Sequence, residues 1–151
     1  MRAVVQRVGW AKVEIGGEVV GRIDRGLLVL VAVHRLDSRE QADWLANKLV
    51  HLRVFDDGTG KMNLSIADVG GEMLIVSQFT LYGNCRKGNR PSYVDSASPE
   101  IARSLYEYFV EKVRSMDISV QEGEFQAHMH VSLLNDGPVT VIVDTPGAVE
   151  N

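Results

Sequence analysis

Leu74-Ile75-Val76-Ser77-Gln78-Phe79-Thr80-Leu81 begins as a buried strand and ends in polar side chains. Leu74, Ile75 and Val76, following the Gly70-Gly71 break, have the composition of a sheet segment inside a core. Ser77, Gln78 and Thr80 then put three hydrogen-bonding groups on the same run. An unpaired buried polar group costs about 1–3 kcal/mol. These groups therefore either satisfy neighbouring strands or line a cavity that a ligand completes. The rest of the chain has to supply the partners of this strand and whatever stands beside its end.

Upstream, Arg2 to Val8 alternates loosely and reads as a first strand with Val4 and Val8 facing inward. Lys12 to Ile15 and Glu18 to Ile23 flank Gly16-Gly17, a pair able to take the positive φ angles of a two-residue hairpin turn. Leu27 to Val33 is apolar on both faces, as a central strand is. Ser38 and Gln41 have capping-box spacing. Ala42, Leu45, Ala46, Leu49 and Leu52 then repeat as in a helix packed on one face. Arg53-Val54-Phe55 returns to strand before the turn residues Asp56 to Lys61, which lack the spaced carboxylates and closing Glu of a calcium loop. Downstream, Ser98-Pro99-Glu100 starts a second helix whose apolar stripe is Ile101, Leu105, Phe109 and Val113. Three β runs follow, Ile118 to Gln121, Met129 to Leu134 and Val139 to Asp144, the last two joined by Asn135-Asp136-Gly137-Pro138. The predicted fold class is α+β. One domain over 1–145 has a largely antiparallel, barrel-like sheet with two helices packed on it, and 146–151 form a flexible tail.

A chain of 151 residues is long enough to bury one proper core. The longest apolar run, Leu27 to Val33, is too short to span a bilayer. No charged leader precedes an apolar signal region, and a single cysteine, Cys85, fits a reducing compartment. A cytoplasmic protein without membrane contact is expected. A net charge of −4 exerts no general attraction on nucleic acid, so any such binding needs a local patch. Arg86-Lys87-Gly88-Asn89-Arg90-Pro91 is the one tight basic cluster. With Gly88 and Pro91 it reads as a shaped turn: either solvated surface or a cradle for an anionic substrate whose reacting part reaches Ser77 to Thr80.

The familiar catalytic patterns fit poorly. Ser77 lies between Val76 and Gln78, not in the Gly-x-Ser-x-Gly elbow of an α/β-hydrolase. Cys85, beside Arg86 and Lys87, has the charge environment of an activated thiolate but nothing else that marks one. His128 and His130 share one strand face, yet no cysteine or acid follows at ligand spacing, so no metal site is expected. Asn135-Asp136-Gly137-Pro138-Val139-Thr140 is less ordinary. Asp-Gly suits a hairpin turn, but Pro138 removes a ladder donor where the next strand should begin. A Gly–Pro bond also reaches the cis form at a cost of only about 0.5–1 kcal/mol. Cis or trans, the residues alone leave open.

Taken together, Ser77-Gln78-Phe79-Thr80-Leu81, Arg86-Lys87-Gly88-Asn89-Arg90-Pro91-Ser92 and Asn135-Asp136-Gly137-Pro138-Val139-Thr140 resemble the D-aminoacyl-tRNA deacylase family. The resemblance runs from Met1 to about Asp144 and includes Arg2 to Val8, Gly60 to Ser65 and Val69 to Glu72. It implies a homodimer, without cofactor or metal, that hydrolyses the ester joining a D-amino acid or glycine to the terminal adenosine of tRNA. It further implies that Gly137-Pro138 is cis, reaches into the second subunit's pocket, excludes L side chains there and is braced by Arg7. Phe125 and Met129 match positions lining the adenosine pocket. Ser77, Gln78, Phe79 and Thr80 match the catalytic segment, and Arg86, Lys87 and Arg90 are expected to hold acceptor-end phosphates. Chemically, an oxyanion formed by attack on the ester is best stabilised by fixed N–H donors near Phe79 and Thr80. Thr80 has no evident base beside it. Its expected role is positioning, with the neighbouring ribose hydroxyl activating water. Two alternatives stay open: a relative with a trans Gly–Pro acting on tRNA mischarged with L-alanine, and a non-catalytic RNA-binding module. Aromatic residues at 7% are few for a base-stacking sheet.

Overall fold

One strand, β1 (Arg2–Ile15), organises the molecule. The two runs read separately at either end of it are continuous, because partners are available along its whole length. On one edge its first half pairs antiparallel with β3 (Gly26–Ala32) and its second half with β2 (Glu18–Ile23). The β1–β2 hairpin turns through Gly16 and Gly17, both at positive φ. The other edge pairs antiparallel with β8 (His130–Asp144) from Arg2↔Asp144 to Glu14↔His130. The computed structural model describes residues 1–147.

The opening apolar run forms β6 (Glu72–Ser77). It pairs parallel with β3, and parallel again with β7 (Val120–Glu122). Both parallel pairings follow from helical crossovers. Between β3 and β6 the chain makes α1 (Arg39–His51), a small hairpin of β4 (Phe55–Asp56) and β5 (Met62–Leu64), and the single-turn α2 (Ile66–Val69). Between β6 and β7 it makes α3 (Pro99–Arg114). The sheet is thus largely antiparallel, with a parallel section around β6. It curls until β2 lies against β7. A Cβ at Gly21 would stand 2.6 Å from the Glu122 carbonyl oxygen, so only glycine permits this nearly closed, barrel-like contact.

Each face of the sheet has its own core. One face buries Ala3, Val5, Leu27, Val29, Val31 and Ile75 under Leu45 and Leu49 of α1 and Phe109 and Val113 of α3. The concave face closes over Val8, Ala11, Val13, Ile23, Leu28, Leu74 and Val76. Burial on both sides explains why β3 and β6 read as unbroken apolar runs.

Four details differ from the sequence reading. Val4 is only half-buried, because it lies on the face of the second core but at its uncovered end, beside the half-buried Leu30 and the 66% exposed Ile142. Ile101 is exposed, and the buried stripe of α3 begins instead at Ala102 and includes Tyr106 and Val110. Helix α2 went unread although Ser65 and Asp68 form a full capping box around it. The runs flanking Asn135–Pro138 are one strand with a bulge, since both stay paired with β1 and the register shifts between them. At the end of the domain Thr145 is buried, its N–H bonded to the Met1 carbonyl at 2.9 Å. Of the expected tail, 148–151 lie outside the described residues.

Candidate active site

Strand β6 ends at Ser77, and pairing with β3 stops one residue later, where the Gln78 N–H meets the Val31 carbonyl at 2.8 Å. The chain then turns tightly through Phe79–Tyr82 as one 3-10 turn, closed by Leu81 N–H to the Gln78 carbonyl at 3.2 Å. The first N–H groups of such a turn, those of Phe79 and Thr80, have no acceptor within it. Unpaired, fixed N–H groups of this kind are what stabilisation of a developing oxyanion requires. The Thr80 hydroxyl donates to the Gln78 side-chain carbonyl at 2.6 Å, and the Ser96 hydroxyl to the Phe79 carbonyl at 3.2 Å. A primary amide is no base, so this contact orients Thr80 without activating it as a nucleophile.

Ser77, Gln78 and Phe79 form one wall of a cavity of about 660 Å³, within the usual range for small-ligand sites of about 300–1,000 Å³. Ala32 at the end of β3, Val33 just beyond it, Ala102 of α3 and the segment from Phe125 to Met129 line it as well. Arg103 lies over the Phe125 ring at 4.6 Å, holding that ring from α3 by a cation–π contact.

The Asn135–Pro138 bulge is built differently. Its Gly137–Pro138 peptide is cis. Arg7, only 8% exposed, donates through Nε to the Asp136 carbonyl at 2.9 Å and through Nη1 to the Val54 carbonyl at 2.9 Å. The Asp56 carboxylate stands 3.4 Å from Nη1 and that of Asp136 3.5 Å from Nε. Asn135 spans the bulge: its amide donates to the Arg7 and Val139 carbonyls and accepts from the Val139 N–H at 3.2 Å. Asp136, Gly137 and Pro138 are themselves exposed.

A family model described as D-Tyr-tRNA(Tyr) deacylase matches residues 4–144. The chain belongs to the D-Tyr-tRNA(Tyr) deacylase family. Among similar members, a D-aminoacyl-tRNA deacylase of Thermosipho africanus is 59% identical over 145 residues, covering 96% of this chain and 97% of that protein. One of Fusobacterium nucleatum is 55% identical over 148 residues, covering 98% of each chain. A solved structure titled c-Myc DNA Unwinding Element Binding Protein is 39% identical with a TM-score of 0.91, covering 97% of this chain and 99% of its own. A second, described as a probable eukaryotic D-amino acid tRNA deacylase, has a TM-score of 0.79 at 19% identity, covering 94% and 97%; it is a likeness of fold.

Within this deacylase fold the expected residues fall into three groups. Ser77, Gln78, Phe79, Phe125 and Met129 share the cavity, and Thr80 is tied to it through Gln78. Arg7, Gly137 and Pro138 form a second cluster that takes no part in that cavity wall. Arg86, Lys87 and Arg90 are exposed on a hairpin closed by a two-way bridge between Asn84 and Ser92. The sequence reading missed Tyr93 and Gln126 and weighed His128 only in other roles; all three line the cavity. Gln126 takes φ of +64°, uncommon for a residue with a side chain, and nothing local in the sequence marks that. His128 and His130 meet edge to face at 5.3 Å, and among the described residues no group of three or more metal-ligating side chains gathers. No helix among those residues is long and apolar enough to cross a membrane.

Proposed function

We propose that this chain hydrolyses D-aminoacyl-tRNA in the cytoplasm, freeing the D-amino acid and the tRNA, and leaves L-aminoacyl-tRNA intact. The observation that carries the reading is the Phe79–Tyr82 turn. It leaves N–H donors without a partner in a segment that lines a cavity large enough for an aminoacyl-adenosine, in a chain of this family. The terminal adenosine lies against Phe125 and Met129, and the ester carbonyl faces the Phe79 and Thr80 N–H groups. Water activated by the adjacent ribose hydroxyl attacks that carbonyl. The charge then gathering on its oxygen is stabilised by donors that need no reorganisation. Thr80 positions and does not bond to the acyl group.

Selection between D and L rests on Gly137-Pro138 of a second protomer entering this cavity and blocking the space an L side chain would need. Two features support that arrangement. The bulge is exposed, braced by Arg7, and absent from its own cavity wall, as expected of a part that serves another copy. Val4, Leu30 and Ile142 also make an apolar row across β3, β1 and β8 at the open end of the second core, suited to cover by the same fold. Glycine has no side chain to clash, so glycyl-tRNA is accepted. Arg86, Lys87 and Arg90 hold the phosphates of the acceptor end.

Incubation with D-tyrosyl-tRNA and with its L counterpart tests the reading directly. Release from the D substrate alone is expected. Release from the L substrate would point to the alternative selectivity, and binding without release would remove catalysis from the model.

A further inference from the structure

Two aromatic rings stand unused at the mouth of the cavity. Phe79 is 54% exposed and Tyr93 is 38% exposed. They meet edge to face, with centroids 5.0 Å apart and planes inclined by 67°, and both belong to the cavity wall. Neither position is loose. Tyr93 follows the Asn84–Ser92 bridge, and its carbonyl accepts from the Ser96 N–H at 3.1 Å. Its ring lies against the backbone of Gly83, where a Cβ would come within 3.0 Å of it. Phe79 is set by the 3-10 turn and by the Ser96 hydroxyl on its carbonyl. The same short hairpin that ends in Tyr93 carries the exposed Arg86, Lys87 and Arg90.

Exposed, immobilised aromatic faces beside a cluster of cations are how single-stranded nucleic acid is gripped, with bases on the rings and phosphates on the charges. We infer that Phe79 and Tyr93 form a stacking platform for the unpaired nucleotide preceding the terminal adenosine of the substrate. This rests on the proposed deacylase reading and adds to it the recognition of a second nucleotide outside the reaction cavity. The charge of the hairpin favours RNA over an apolar partner, because a protein surface covering the rings would also have to cover three cations. Stacking makes little distinction among bases. The platform therefore measures the presence of a single-stranded end and not its sequence.

The test compares kcat/KM for D-tyrosyl-tRNA with that for D-tyrosyl-adenosine, which lacks the preceding nucleotide, using the full chain and its Tyr93→Leu and Tyr93→Trp variants. Stacking on one aromatic ring corresponds to about tenfold in affinity or somewhat more. Tyr93→Leu should therefore lose about tenfold more on the tRNA than on the adenosine ester, mainly in KM, and Tyr93→Trp should restore the tRNA value. Equal losses on the two substrates would overturn the platform, as would failure of Trp to rescue. So would a shift in self-association on sedimentation, which would mean that another copy of the chain covers the rings. If the unaltered chain cleaves neither substrate, the deacylase reading itself fails. If it cleaves both and Tyr93→Leu does not separate them, only the platform falls.

Discussion

The Ser77–Thr80 strand end and the Asn135–Pro138 bulge are both polar interruptions of apolar strands, yet they are held in opposite ways. The strand end is a main-chain device: one 3-10 turn, closed by backbone bonds, leaves its first N–H groups without a partner in the turn, in a segment that lines a cavity. The bulge is a side-chain device. Arg7 and Asn135 together reach carbonyls of Asp136, Val54, Val139 and of Arg7 itself. Main-chain donors survive substitution of the residues that carry them. A loop held by one buried guanidinium does not survive its loss. The part proposed to catalyse should therefore tolerate mutation better than the part proposed to discriminate.

The largest effect should come from Arg7→Ala. It leaves two carbonyl acceptors without their charged donor, a loss of about 3 kcal/mol, or on the order of 10 °C in Tm for a domain of this size. Thermal unfolding would register that loss. Hydrolysis of D-tyrosyl-tRNA measured well below the new Tm should fall further than the folded fraction explains. If the melt barely moves, the bulge has other supports and the contrast is wrong. Next in size, replacing Arg86, Lys87 and Arg90 together by Gln should weaken tRNA binding. The slope of log affinity against log salt should flatten by about 2, at roughly 0.7 per single-strand phosphate contact. Stability should change by no more than about 0.5 kcal/mol, as for exposed positions generally. An unchanged salt series would detach the hairpin from the substrate. The smallest effect is expected of Thr80→Ala. Its hydroxyl only donates to the Gln78 amide, so single-turnover hydrolysis should slow by a few-fold. Near-complete loss of turnover would make the threonine a direct participant and place side-chain chemistry at the strand end after all.

Much of this was legible in the chain. The capping box at Ser38 and Gln41, the Gly16-Gly17 turn and the apolar runs of β3 and β6 each depend on neighbours within a few residues, and each formed as read. Ile101 was misassigned because helical spacing defines a stripe but not its edges, and the stripe that is buried, from Ala102 through Leu105, Tyr106, Phe109 and Val110 to Val113, leaves Ile101 outside. The reading of two separate β runs joined at Asn135–Pro138 failed for a related reason. Asp-Gly-Pro carries the local chemistry of a turn, but β1 is long enough to pair with the chain on both sides of it, and the ladder continues past it with a shift of register. Tyr93 and Gln126 could not be found at all. Their importance lies in what faces them across the cavity, from segments far away in sequence.

By itself, the sequence determined the α+β class, most element positions and, through three ordered motifs, the family. Those properties arise from local periodicity, capping and turn chemistry, which act over a turn of helix or a pair of strands. Tertiary structure alone decided that β1 would be one strand with partners on both edges and that the sheet would curl shut at Gly21. It also decided that Arg7 would reach across to Val54 and Asp136, and that Phe79 would meet Tyr93 above the cavity. These are contacts between residues 14 to 129 positions apart in the chain. No local preference encodes them; they follow from how the two cores pack on opposite faces of one sheet.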